Sequence, residues 1–299
     1  MFDFSKKQNQ YITIVFLAII WGSSFILMKK GLVTGGGSFS PTEITYYRIF
    51  LVFIILLPFS IKGAKSISIK KWVILVLSGI IGSAIPYFLF IKAQTKIDSS
   101  LSGILNSLTP LFTLGFGFFI FKEKFKLKAV LGILIGLLGA SGLIFFSSQG
   151  QNFSSFSIYA ALPIIGSACY ALNLNLIKIY LGEINSLKIT AWSFLFIGPI
   201  AGFLLFNNTD FVSNLINHEK GWESFIYINI LGLVGTALAV WVFNLLIKHT
   251  SSLFASSVTY LIPIVAIIWG IADGESFDLN KILFTLIILC SVYLTNHKT

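Results

Sequence analysis

The sequence predicts an all-α integral membrane protein: ten transmembrane helices arranged as two inverted five-helix repeats. Three observations carry that prediction. Only 11% of the 299 residues are charged and 56% are hydrophobic, whereas a soluble domain averages roughly 25% charged. So few polar groups cannot cover a surface in water, and lipid must solvate most of the chain. The apolar residues also fall in long unbroken runs, and the pattern of the first half returns in the second.

The runs lie near 11–30, 43–61, 72–92, 100–121, 128–147, 156–178, 188–206, 224–247, 252–272 and 279–296. Each is about the ~20 residues that a helix needs to cross hydrocarbon. None shows the ~10-residue alternation of a barrel strand. The first run, Tyr11 to Met28 behind Lys6 and Lys7, is too long for a signal sequence and lacks a small-residue cleavage site, so it reads as a retained span. Ten such helices leave roughly ten residues per connection, too few for a soluble catalytic domain.

Of the 21 basic residues, 20 are lysines scattered singly or in pairs. A nucleic-acid partner needs them clustered on one face, so none is expected. Their pattern is topological instead. Fourteen lysines fall on the side of the termini, and six, Lys29, Lys30, Lys92, Lys96, Lys220 and Lys281, on the other. Lysine-rich loops stay in the cytoplasm, which places both termini there. Cys169 and Cys290 lie within apolar runs and read as small packed side chains, with no disulfide, metal or cofactor implied.

At an offset of 153 residues Gly79 meets Gly232, Gly82 meets Gly235, Ala84 meets Ala237, Phe90 meets Phe243, Ser99 meets Ser252, Leu108 meets Leu261 and Pro110 meets Pro263. At an offset of 149, Trp21–Lys29 meets Tyr170–Lys178. The domains are therefore 1–150 and 151–299, each with five spans. Because five is odd, the second copy is upside down relative to the first. That symmetry suits alternating access, since exchanging the roles of two inverted halves turns a site from one side of the membrane to the other.

Trp21-Gly22-Ser23-Ser24-Phe25, the segment Ser102 to Pro110 followed by Glu123, and Tyr260 to Pro263 followed by Glu275 resemble the EamA-type branch of the drug/metabolite transporter superfamily. The resemblance spans essentially the whole chain. It implies a ten-helix inner-membrane permease that exports amino acids, related metabolites or drugs. The second half departs by one residue: proline to glutamate is 13 steps in the first half and 12 in the second.

Ser99, Ser102, Asn106, Thr109, Thr113 and Gly117 form one polar, small-residue stripe at helical spacing, and the shifted stripe is Ser252, Ala255, Thr259, Ile262, Ala266 and Gly270. Both should face the bundle interior, as a cavity lining or as close helix packing. Pro110 and Pro263 stand near the middle of their spans and free the carbonyls of Asn106 and Thr259. A substrate group or a neighbouring hydroxyl has to satisfy them. The remaining candidates for a substrate lining are Trp21, Ser24, Tyr87, Asn173, Trp192, Trp241, Asn244 and Tyr260. Arg48, the one arginine, either grips a substrate carboxylate or snorkels to the headgroups.

No Asp or Glu stands well inside any span, so a proton relay is not evident. Gly132, Gly136, Gly139 and Gly142 read as helix packing. An intramembrane enzyme or lipid-handling protein needs a buried base or acid pair, whereas His218, His249 and His297 lie in loops or the tail. A passive channel would need a continuous polar pore. The expected function is export of small, zwitterionic metabolites by a monomer or homodimer.

Overall fold

The computed structural model describes residues 6–60, 67–122, 127–147 and 153–296; among them there is no strand, only an isolated bridge between Leu32 and Phe39. Glu123 lies outside the described residues, as do His297 and the lysines at 62, 65, 124, 126 and 298. The long helices in order are α1 (Lys7–Gly31), α2 (Pro41–Ser60), α3 (Ile69–Ala93), α4 (Ser99–Phe119), α5 (Leu127–Ser147), α6 (Phe153–Tyr180), α7 (Ser186–Asn208), α8 (Gly221–His249), α9 and α10 (Leu279–Asn296), with a two-turn helix, Phe211–Asn217, between α7 and α8. The ninth, α9, runs as Ser252–Ser256, Ser257–Tyr260 and Ile262–Ala272. Among the described residues eight of these are long and apolar enough to cross a membrane, while α5 and α10 contribute the shorter apolar stretches Leu134–Phe146 and Leu279–Ser291.

Local chemistry sets where the helices start and where they break. Pro41 opens α2 at a position that tolerates a missing N–H. Ser40 and Glu43 then cap it reciprocally: the Glu43 carboxylate accepts the Ser40 N–H at 2.7 Å, and the Ser40 hydroxyl accepts the Glu43 N–H. Ser68 and Asn185 cap α3 and α7 in the same sense. Two helices, α3 and α8, are interrupted by a π-helical turn, at Ile80–Ala84 and Leu233–Leu238. These turns sit 153 residues apart, the same offset as the sequence repeat. Two others, α4 and α9, lose regular helix just before Pro110 and Pro263, where the ring removes the hydrogen bond to the fourth residue back.

Contacts as well as sequence repeat across the two halves. Trp21 meets Phe243 edge-on at 4.8 Å between centroids, and their counterparts Tyr170 and Phe90 stack at 5.8 Å. Gly235 lies against Ser24, as Gly82 lies against Asn173. Trp72 packs on Trp192 as Phe225 packs on Tyr47, which pairs α2 with α7 at an offset of 145.

Inversion is visible in the lysines. Lys29 bonds to Asp273 and Glu275 beyond the last residue of α9, while its counterpart Lys178 bonds to the carbonyls of Ile247 and Thr250 just before α9 begins. Equivalent residues therefore occupy opposite ends of one helix.

The larger core joins α1, α2, α3, α6, α7, α8 and α9; a smaller one joins the end of α3 with α4, α5, α6 and α10. In α5, Gly136, Gly139 and Gly142 give close approach to Ser291, Ile288 and Phe284 of α10, which is helix packing as the sequence suggested.

Candidate functional site

All twelve residues of the two small-residue stripes are buried. Between them and α1, α2, α3, α6 and α8 lies a cavity of about 110 Å³. Its wall includes Trp21, Ser24, Phe25 and Met28 of α1 and, 149 residues on, Tyr170, Asn173, Leu174 and Ile177 of α6. At the 153 offset it includes Tyr87 with Val240, Phe90 with Phe243, and Asn106 with Thr259. Fourteen of its 19 residues are thus seven repeat pairs, and Arg48, Gly82, Thr109, Asn244 and Ser256 complete it.

Helix irregularity places several of these groups. Pro86 has no N–H for the Gly82 carbonyl, and the π turn brings Gly82 to the cavity with no side chain in the way of Asn173. In the second repeat the Gly235 carbonyl accepts the Trp21 indole N–H at 3.0 Å, and Thr236 bonds back to the Leu231 carbonyl. The Asn106 carbonyl freed by Pro110 is taken up by the Thr109 hydroxyl at 2.7 Å, so a neighbouring hydroxyl already satisfies it. Asn244 donates to the Thr190 hydroxyl at 2.9 Å, whereas Asn173 Oδ1 is buried without a partner.

Arg48 does not snorkel. It is 4% exposed, donates from Nε to the Thr236 hydroxyl, and lays its guanidinium over the Tyr87 ring at 3.7 Å from the centroid. The aromatic face attracts the cation without neutralising it.

Nine of the twelve residues read from sequence as lining line this cavity, and three do not. Trp192 sits one and a half turns from the start of α7, where its indole N–H bonds to the Ser60 carbonyl that ends α2 and its ring packs on Trp72. Trp241 follows Val240 by ~100° of helix, which turns it off the face that carries Val240, Phe243 and Asn244. Tyr260, next to Thr259 in a tight helical turn, packs into the smaller core instead. Reasoning from polarity alone missed Phe25, Met28, Phe90, Tyr170, Leu174, Ile177, Val240 and Phe243. The offsets flag two of them, Tyr170 as the mate of Trp21 and Val240 as the mate of Tyr87; the other six pair only among themselves, Phe25 with Leu174, Met28 with Ile177 and Phe90 with Phe243.

One end of the bundle is tied by charge. Lys29 reaches Asp273 at 2.7 Å and Glu275 at 2.9 Å, and Lys30 also pairs with Asp273. Glu275 further accepts the Ser99 N–H and hydroxyl at 2.9 and 2.6 Å and the Ser100 N–H at 3.0 Å. Burial raises the Glu275 pKa, but the hydrogen bonds from Ser100, Ser99 and Lys29 outweigh it and hold the carboxyl down at about 2. These bonds join the ends of α1 and α9 to the start of α4. Nearby, Lys281 bridges to Asp98 at 2.9 Å.

The EamA-like transporter family matches the chain twice, over residues 9–145 and 157–297. Among curated relatives, an uncharacterized inner membrane transporter of Escherichia coli (strain K12), YedA, is 26% identical over 91% of this chain and 88% of its own. An uncharacterized transporter of Bacillus subtilis (strain 168), YetK, is 23% identical over 97% and 87%. Another uncharacterized transporter, from Clostridium kluyveri, is 26% identical over 96% and 94%. A solved crystal structure shares the fold at 12% identity, with a TM-score of 0.65 over 97% of each chain. With both halves matched almost end to end, the chain belongs to the EamA-like transporter family.

Proposed function

We propose that the protein is a ten-crossing permease of the bacterial inner membrane, both termini cytoplasmic, that exports small metabolites of the amino-acid size class. The cavity is the substrate site, and residues 1–150 and 151–299 rock against each other to expose it to either side. One observation carries this reading: seven pairs of repeat-equivalent residues line a single cavity. A site shared by inverted halves faces either side of the membrane when the halves exchange conformations. The Lys29–Glu275 cluster is the closed gate of the state described here. The reading is transport without enzyme activity.

Saturable counterflow in proteoliposomes tests the reading, with extract metabolites as the trapped solutes and mass spectrometry as readout. Saturation and exchange are expected; flux linear in concentration would indicate a channel, and no flux would refute transport. Asn106→Ala should abolish saturable flux and leave insertion intact.

A further inference from the structure

Charge accounting inside the cavity narrows its substrate. Arg48 brings one full positive charge, and no Asp, Glu, Lys or His lines the wall. Among the described residues the guanidinium makes one hydrogen bond, to Thr236, and no carboxylate lies within ion-pair distance of it. The nearest acid along its own helix, Glu43, is occupied by Ser40 and Asn214, and Asp273 and Glu275 are held by Lys29 and Lys30. A buried cation without a counterion is costly in a low-dielectric interior. The repeat gives no mirrored partner either: at the 145 offset Arg48 corresponds to Ser193, a buried hydroxyl with no bond.

We infer, resting on the reading of this cavity as the transport site, that its substrate is a small organic monoanion: a carboxylate on an aromatic or apolar body, without an ammonium group. The carboxylate pairs with the free edge of the Arg48 guanidinium, which presents two parallel N–H groups. Phe25, Phe90, Tyr170 and Phe243 receive the apolar body. Asn173 Oδ1 accepts one hydrogen bond from a neutral donor. A zwitterion would leave its ammonium with no carboxylate and the site with a net charge of +1. A monoanion leaves it neutral.

This charge balance also supplies a driving force that needs no proton relay. Arg48 stays with the protein, so each turnover moves one negative charge outward. In a cell with a negative interior, 100 mV sustains an outside-to-inside ratio of roughly 50-fold for a monovalent anion.

Three probes with one aromatic body and different charge separate the outcomes: phenylpyruvate, phenylalanine and phenethylamine, titrated calorimetrically into the purified full chain. Phenylpyruvate should bind on the order of 10²-fold tighter than phenylalanine, and phenethylamine should not bind. Arg48→Lys should weaken phenylpyruvate roughly tenfold and Arg48→Gln on the order of 100-fold or more. In proteoliposomes with a valinomycin–potassium potential, phenylpyruvate efflux should rise when the lumen is negative and fall when it is positive. Phenylalanine binding as tightly as phenylpyruvate, potential-independent efflux, or no phenylpyruvate binding would each overturn the inference. The wild-type ranking needs no variant, so a misfolded Arg48→Gln leaves the test intact. Counterflow of other metabolites in the same vesicles would then show transport standing with the anion assignment gone.

Discussion

The two repeats share a backbone and differ in their chemistry. Both place a π turn in the third helix and a broken helix before a proline, and both set an aromatic ring from one half on a phenylalanine of the other. At the ends the likeness stops. Lys29 sits in a cluster with Asp273, Glu275, Ser99 and Ser100, while among the described residues Lys178, its counterpart, bonds to the carbonyls of Ile247 and Thr250 and to no acid. In the wall Arg48 has no equivalent: its counterpart at the 145 offset is Ser193, which does not line the cavity. On the alternating access proposed above, matched backbones would keep two conformations close in energy, and the unmatched side chains would decide which one is preferred.

Removing the charge at the Lys29 end is the strongest way to break that asymmetry. Glu275 is 3% exposed and accepts from four donors, so Glu275→Gln leaves donors facing donors at a cost of about 2–4 kcal/mol. That end should then open roughly 30- to 1000-fold more often. Lys178→Met, which removes hydrogen bonds to carbonyls, should shift its own end by about 1 kcal/mol. Matched cysteines at the equivalent buried positions Ser102 and Ala255, in a background lacking Cys169 and Cys290, report each end by impermeant maleimide labelling. Equal effects at the two ends would refute the asymmetry.

A mirrored pair of glycines gives a smaller contrast. A Cβ on Gly79 would run into the carbonyl oxygen of Ser193, a backbone atom of α7, whereas on Gly232 it would meet the flexible Leu51 side chain at 2.7 Å. Gly79→Ala should therefore cost about 1–3 kcal/mol and Gly232→Ala under about 1 kcal/mol, read as a larger drop in Tm for the first. Reversal of that order would show that the α3–α7 contact is looser than described.

These contrasts mark what the sequence could and could not reveal. Apolar runs, the repeat offsets, both prolines and the interior stripes are local patterns, legible because helix period and span length act residue by residue. Lys29 and Lys30 carried only a topological meaning until α9 brought Asp273 and Glu275 to them from more than 240 positions away. Arg48 was ambiguous for the same reason: its rise along α2 was known, its rotation toward Thr236 and Tyr87 was not. Trp192 shows the converse. Its aromatic and polar character suited a lining, but a terminal carbonyl on α2 took its N–H.

The smallest expected effect concerns pH, and it distinguishes a charge-locked end from a proton-operated one. Glu275 has its pKa lowered from an ordinary 4.5 to about 2, and Asp273 is lowered as well: its burial works the other way, but bonds to Lys29 and Lys30 prevail. For a carboxylate whose pKa is depressed in the closed state, closure is fully supported above its ordinary pKa and lost only as pH falls through the depressed one. From pH 8 to pH 5 both groups stay ionised, so labelling at Ser102→Cys, normalised to a fully exposed cysteine to remove thiolate chemistry, should be flat. A rise between pH 7 and pH 5 would mean that a proton opens this end under physiological conditions. Flat labelling leaves opening to the substrate and the membrane potential, with the ion cluster broken by helix movement and not by titration.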